Sequence, residues 1–316
     1  MRVVIDKGIP FLEGVFPLGT EVVYLPADAI TSESIREADA LFVRTRTRVN
    51  KELLQGSRVR FVATATIGFD HIDQTYCREA GIHWVSCPGC NAQAVCDYVE
   101  EAISSVKSGK NDITLGIVGY GHVGKLVAQM GKKHGYHIMV SDPPLGIGSS
   151  LVEIAPQCDV LTFHTPLTRS GAFPTYHLCH AAILRLCKSD ALIINAARGG
   201  VVDEAALLDV LSSGSSQLAT AIDCWEDEPA INRELLQHVD LASFHIAGYS
   251  IAGKMRASEM CLEAFCNFFS LPILSINKKV VPLHGDSAPG WLRRISNELK
   301  AQPEHFEQLR KQYKLR

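Results

Sequence analysis

Short runs of consecutive apolar residues alternate with polar stretches along most of the chain. Val3–Ile5, Val22–Leu25, Ala40–Val43, Phe61–Ala65 and Ile82–Val85 open the series. Unbroken apolar runs of this kind are what strands buried on both faces of a parallel sheet look like, with the polar segments between them supplying covering helices. A polar stretch, Lys107-Ser108-Gly109-Lys110-Asn111-Asp112, interrupts the pattern. A second series follows: Thr114–Val118, Ile138–Ser141, Val160–Phe163, Ala191–Asn195, Ala219–Ile222 and a sixth run at Leu241–Phe244. Strands alternating with helices in this way predict an α/β chain of two doubly wound parallel-sheet domains, the second of nucleotide-binding type.

Several helix boundaries are legible. Val123, Val127 and Met130 mark one buried face, Lys132 and Lys133 suit its last turn, and Gly135 stops it. Asp203 is a good N-cap for a helix whose buried stripe is Leu207, Leu208 and Leu211, ending at Gly214. Ser250–Phe269 also reads as helix, and Asn297–Lys314 as one or two short amphipathic helices.

Composition narrows the class. A formal net charge of -3 over 316 residues implies no strong field, which argues against nucleic acid or an anionic membrane as partner. The N-terminal apolar run is too short for a secretory signal, and no stretch reaches the roughly 20 apolar residues of a membrane span, so a cytoplasmic protein is expected. Ten cysteines are scattered singly, as for reduced thiols. The pair Cys87 and Cys90 reads as two core thiols at a turn, because a zinc site needs a second matched pair. His177 and His180 have no evident third ligand and read as a solvated helix face, so no metal is expected.

Gly119-Tyr120-Gly121-His122-Val123-Gly124 is a G-x-G-x-x-G that follows an apolar run and opens a helix. Asp142 stands 21 residues beyond Gly121, at the end of the next run. Gly119 permits the tight turn, Gly121 lets backbone approach a pyrophosphate, and Gly124 lets helix and strand pack closely. The phosphates then meet the helix N-terminus formed by His122 and Val123. Asp142 accepts from ribose hydroxyls and repels a 2′-phosphate, which predicts NAD over NADP.

Three polar groups stand just after apolar runs in the second half, where a doubly wound sheet binds its ligands. Arg198, beside two glycines, suits a carboxylate clamp. His245 suits proton exchange with an alcohol near neutral pH. A carboxylate beside it would raise its pKa and fix its tautomer. Glu228 is the candidate, with Asp227 and Glu226 as local rivals.

The segments Asn195–Asp203, Asp223–Pro229 and His245–Tyr249, placed after G-x-G-x-x-G and Asp142, resemble the D-isomer-specific 2-hydroxyacid dehydrogenase family. Further likeness lies in Val43-Arg44-Thr45, Ala63–Asp73, Pro88–Ala92, Asp142-Pro143-Pro144 and Leu161–Leu167, and resumes at Phe306–Tyr313. These point to a branch that acts on a phosphorylated 2-hydroxy acid. The resemblance implies Arg198, Glu228 and His245 as the catalytic set. It implies substrate contacts at Thr45, Thr66 and Tyr249, and NAD contacts at Asp142, Thr165, Asp223 and Gly248. It also implies a flavodoxin-like substrate domain of residues 1–92 plus about 250–276, an NAD domain of 93–249, a C-terminal tail of 277–316, and a homodimer. Arg44, with Arg46 and Arg48, would offer charge to the phosphate if the run stays extended, since alternation then puts all three on one side. The alternatives are a family member acting on 3-phosphoglycerate or glyoxylate, or a non-catalytic NAD-sensing regulator.

Overall fold

The computed structural model describes residues 1–110, 112–214, 217–272, 276 and 288–314. The chain forms two compact units, one of Met1–Asn91 with the segment that returns at Ser250, the other of Ala92–Tyr249 with the last stretch of chain.

The first unit carries strands β1 (Arg2–Asp6), β2 (Glu21–Leu25), β3 (Ala40–Val43), β4 (Phe61–Thr64) and β5 (His83–Val85). Helices α1 (Lys51–Leu54) and α2 (Gln74–Glu79) lie between them. All pairings are parallel, in the order β2-β1-β3-β4-β5. The central β3 and β4 are buried along their whole length, which is why the sequence shows them as mostly apolar runs, with Thr64 the exception.

The second unit opens with α3 (Ala92–Val106) and β6 (Thr114–Val118), then α4 (His122–Lys133), β7 (His137–Asp142) and β8 (Ile147–Gly148). It continues through α5 (Leu151–Ile154), β9 (Val160–Phe163), α6 (Ala181–Leu186), β10 (Leu192–Asn195), α7 (Glu204–Ser212), β11 (Ala219–Ile222), α8 (Arg233–His238) and β12 (Leu241–Ala242). The seven strands run in the order β12-β11-β10-β9-β6-β7-β8, all parallel except the β7–β8 edge pair. The switch point, where the order reverses, lies between β6 and β9. The sixth run is strand only over Leu241–Ala242; Ser243 N still donates to Ile222 O at 2.9 Å before the chain turns into the next loop. β8 escaped sequence reading: two exposed residues carry no periodicity, and backbone pairing alone defines them.

α9 (Ile251–Phe268) belongs to the first unit. Ser250 caps it by accepting from Gly253 N at 3.0 Å, and Phe265 packs on Phe42 and Phe61 with ring centres 5.6 and 6.0 Å away. α10 (Trp291–Ala301) and α11 (Phe306–Gln312) group with the second unit. α10 starts earlier than the expected Asn297, since Trp291, Leu292 and Ile295 extend its buried face. Within the expected tail, residues 277–287, 315 and 316 lie outside the described residues.

Candidate active site

The glycine turn joins β6 to α4. Gly119 takes φ +94°, and a Cβ there would stand 2.8 Å from His164 O. A Cβ on Gly124 would stand 2.1 Å from Gly119 O, so helix and turn are pressed together. Gly121 differs, because a Cβ there would meet no protein atom within 4 Å. Packing therefore does not explain that glycine, whereas close approach of a ligand does. Gly121 caps α4 without a side-chain bond, and the N–H groups of a helix's first turn, here at His122 and Val123, suit an anion. Asp142 Oδ2 accepts from Tyr120 N at 2.6 Å and Oδ1 from Leu145 N at 3.2 Å. A carboxylate has about four acceptor positions, so capacity for ribose hydroxyls remains. Thr165 stands against Gly119, and its buried Oγ1 has no hydrogen-bond partner among the described residues. An orphaned hydroxyl beside this turn fits a cofactor contact. These residues are fit to hold a dinucleotide.

The loops after β10, β11 and β12 carry the remaining groups. Arg198 follows β10, half-buried, and donates from Nη1 to Ala197 O at 2.8 Å. Asn195 ties its loop to the next by donating to Arg198 O and Cys224 O, each at 3.0 Å. A Cβ on Gly199 would lie 1.9 Å from Trp225 O, so these two loops touch through backbone. Asp223 is buried at the end of β11. Its carboxylate accepts from Ser243 Oγ and Ile246 N at 2.7 Å and from Ala247 N at 2.9 Å. Its own carbonyl accepts from His245 N at 2.9 Å. Asp223 thereby shapes the loop that presents His245, which sits at φ +59°, an uncommon region for a residue with a side chain.

Of the three acids after β11, Glu228 is the one beside His245, with Oε2 2.8 Å from Nδ1. Its other oxygen accepts from Trp225 N at 2.9 Å. Glu226 instead faces His177 Nε2 at 3.1 Å, and Asp227 is exposed. Burial opposes protonation of His245, but its neighbours at Cys224 and Glu228 favour it and its pKa is raised above the ordinary value. Burial keeps the Cys224 thiol protonated, so Glu228 is the standing negative charge that favours the imidazolium.

Within the first unit, Arg44 is anchored by Asp6, with Nε 3.0 Å from Oδ2 and Nη2 3.1 Å from Oδ1. A Cβ on Gly8 would overlap this guanidinium. The chain turns at Thr45–Thr47, closed by Thr47 N donating to Arg44 O at 3.1 Å. The expected alternation of Arg44, Arg46 and Arg48 therefore does not hold, because an extended backbone is its precondition. Thr45 is exposed beside Arg44. Thr66 Oγ1 lies 2.7 Å from Thr64 Oγ1 and donates to Gly68 O at 2.9 Å, while His71 Nε2 is 3.0 Å from Thr64 Oγ1.

The expected helix face of His177 and His180 is corrected. Both precede α6, His180 as its N-cap and His177 in a loop at φ +52°. Among the described residues no group of three or more His, Cys, Asp or Glu side chains is arranged to hold a metal ion. Cys87 is a buried thiol, 3.4 Å from Cys261 Sγ, and Cys90 is half-buried with its pKa pushed up by burial to about 12.

Two residues escaped sequence reading. His164, just after β9, is half-buried with its Nδ1 enclosed, close to Gly119, and burial drives its pKa down to about 3, so its ring is neutral. Its position after an apolar run was the available signal. Arg310, on α11, donates from Nε to Tyr249 Oη at 3.1 Å. No local pattern links positions so far apart in the chain.

A family model described as D-isomer specific 2-hydroxyacid dehydrogenase, NAD binding domain, matches residues 99–247. An erythronate-4-phosphate dehydrogenase of Bacteroides fragilis is 43% identical, the match covering 100% of this chain and 97% of that relative. One of Pseudomonas syringae is 40% identical over 96% of this chain and 80% of its own. Among solved structures, the NAD-bound 3-phosphoglycerate dehydrogenase of Entamoeba histolytica matches with a TM-score of 0.71 at 24% identity, covering 90% of this chain and 99% of that one. That last likeness speaks to fold alone. No helix among the described residues is long and apolar enough to cross a membrane.

Proposed function

Because the chain belongs to the D-isomer specific 2-hydroxyacid dehydrogenase family and is an NAD-dependent dehydrogenase, we propose that it oxidises 4-phospho-D-erythronate to the 2-oxo acid, a step in making pyridoxal phosphate. The Glu228–His245 pair, 2.8 Å apart on loops after neighbouring strands, carries this reading. His245 accepts the C2 hydroxyl proton. Glu228 holds the ring by its Nδ1 side and stabilises the imidazolium that results. Arg198, with one of its five N–H donors spent on Ala197 O, clamps the substrate carboxylate and C2 oxygen. Bound NAD supplies the acceptor for the hydride that leaves C2. Gly119, Gly121, His122, Val123, Gly124, Asp142, Thr165, Asp223 and Gly248 hold it, and Asp223 also braces the loop that carries Gly248.

Arg44, Thr45, Thr66 and Tyr249 are assigned to substrate in this reading. The likeness to relatives named for a phosphorylated substrate supports that assignment. A cytoplasmic homodimer is part of the same proposal. The ten unpaired cysteines favour a reducing compartment, and sedimentation tests the dimer.

The test is NADH formation with 4-phospho-D-erythronate, D-erythronate, 3-phosphoglycerate and glycolate, the last two probing the alternative family substrates. The expected result is a kcat/KM for the first at least 10² times that for the others. Equal or better turnover of an unphosphorylated acid would overturn the substrate, and no NADH with any of them would overturn the enzyme reading.

A further inference from the structure

The Glu228–His245 pair and Tyr249 are met by a side chain from the end of the chain. Arg310 Nε donates to Tyr249 Oη at 3.1 Å. Its Nη1 stands 3.9 Å from Glu228 Oε2, the same oxygen that lies 2.8 Å from His245 Nδ1. The guanidinium carbon is 5.6 Å from the centre of the Tyr249 ring. The arginine side chain is only 25% exposed.

We propose that Arg310 is a positioning residue of the active site, which aims the Tyr249 hydroxyl as a donor to the substrate and shares the Glu228 carboxylate with His245. The proposal rests on the dehydrogenase reading above and extends it to the C-terminal segment.

Docking α11 does not require this arginine. Phe306 and Leu309 are buried in the core of the second unit, and the Tyr313 ring lies 6.0 Å from that of Phe244. Taking a guanidinium out of water is costly unless its charge is used. Two uses are present. A phenol oxygen that accepts from a cation has its own proton polarised toward the next acceptor, which makes Tyr249 a stronger donor to an anionic substrate. A cation near Glu228 Oε2 offsets part of the charge that favours the His245 imidazolium. Also near this pair are the Cys224 thiol, Asp223, whose carboxylate is bonded to the 243–247 loop, and Glu204, whose carboxyl is pushed up to about 8 chiefly by burial and also by Glu226 and Glu228, while Glu307 lies near Arg310.

The experiment uses the full chain with Arg310→Met, Arg310→Lys, Tyr249→Phe and the double variant Arg310→Met/Tyr249→Phe. Arg310→Met is expected to lower kcat/KM for 4-phospho-D-erythronate roughly 10- to 100-fold while the Kd for NAD stays within about twofold. Arg310→Lys restores part of the loss. In the Tyr249→Phe background the same removal costs less than about threefold, because the two side chains act as one unit. The His245 ring-proton NMR titration, followed without substrate, moves upward by about half a unit to one unit in Arg310→Met. A purely structural role would not move that titration.

Kinetics and a titration unchanged from the parent overturn the proposal, as does full additivity with Tyr249→Phe. Should Arg310→Met fail to fold, Arg310→Lys carries the test. It keeps the charge but not the bond to Tyr249, so a loss that disappears in the Tyr249→Phe background is expected, and no loss overturns the proposal. If the parent enzyme does not oxidise 4-phospho-D-erythronate, the substrate reading fails by itself and the titration still decides the role of Arg310.

Discussion

Glu228 Oε2 lies 2.8 Å from His245 Nδ1, and the two residues stand on loops that leave adjacent parallel strands. Placed this way, the carboxylate fixes which ring nitrogen is turned inward and which is presented outward.

The pair sets the pH dependence. The pKa of His245 is raised above its ordinary value, and oxidation needs the neutral ring. The kcat/KM for oxidation should therefore rise with pH through a pKa above about 6.5, and that for the reverse reduction should fall through the same region. Glu228→Gln removes the charge that favours the imidazolium, so the rise moves to lower pH. Its maximal kcat should drop roughly 10- to 100-fold as orientation is lost. Profiles measured in both directions check the sign.

Arg198→Ala should raise KM and lower kcat together, with a loss in kcat/KM on the order of 10²–10³. Arg198→Lys should recover little of it, because an ammonium does not reproduce two parallel donors. Steady-state kinetics on both variants decide the point, and near-parental values for alanine would remove Arg198 from the mechanism.

The glycine turn offers a contrast within one motif. Gly124→Ala forces a methyl to within 2.1 Å of Gly119 O, and overpacking of that kind costs roughly 1–3 kcal/mol of stability. Gly121→Val meets no protein atom in the position of its Cβ, so its Tm should stay close to the parent while its Kd for NAD rises at least tenfold. Thermal melts and cofactor titration on the two variants separate fold from binding.

Asp142→Ala should weaken NAD binding roughly 10- to 100-fold, the order of one hydrogen bond to a charged acceptor. It should also lower the NAD-to-NADP preference, since the carboxylate that repels a 2′-phosphate is gone. The ratio of the two Kd values is the measurement. An unchanged ratio would show that another group sets the preference.

Apart from β8, the strands of both sheets were readable because parallel strands covered on both faces are buried throughout and therefore mostly apolar, as β3, β4, β9 and β10 are. The glycine turn and Asp142 were readable because a dinucleotide constrains local backbone. What resisted reading depended on contacts remote in sequence. The basic run after β3 suggested one charged edge, yet Asp6 on β1 claims Arg44. His177 and His180 had helical spacing, but acids on other segments, Asp203 and Glu226, hold His177 in a loop. Arg310 sits in an amphipathic pattern that announces only a helix, and its partners lie on loops after β11 and β12.

The buried carboxylate of Asp223 has a bearing on natural variation. Beyond the NAD contact assigned to it, it holds the backbone from which the imidazole projects. A homologue that keeps its arginine, glutamate and histidine but has lost this aspartate would look intact to anyone inspecting the reacting groups, and would be a dormant enzyme. Judging which descendants still work therefore means checking the acceptor that sets the aim as well as the groups that are aimed.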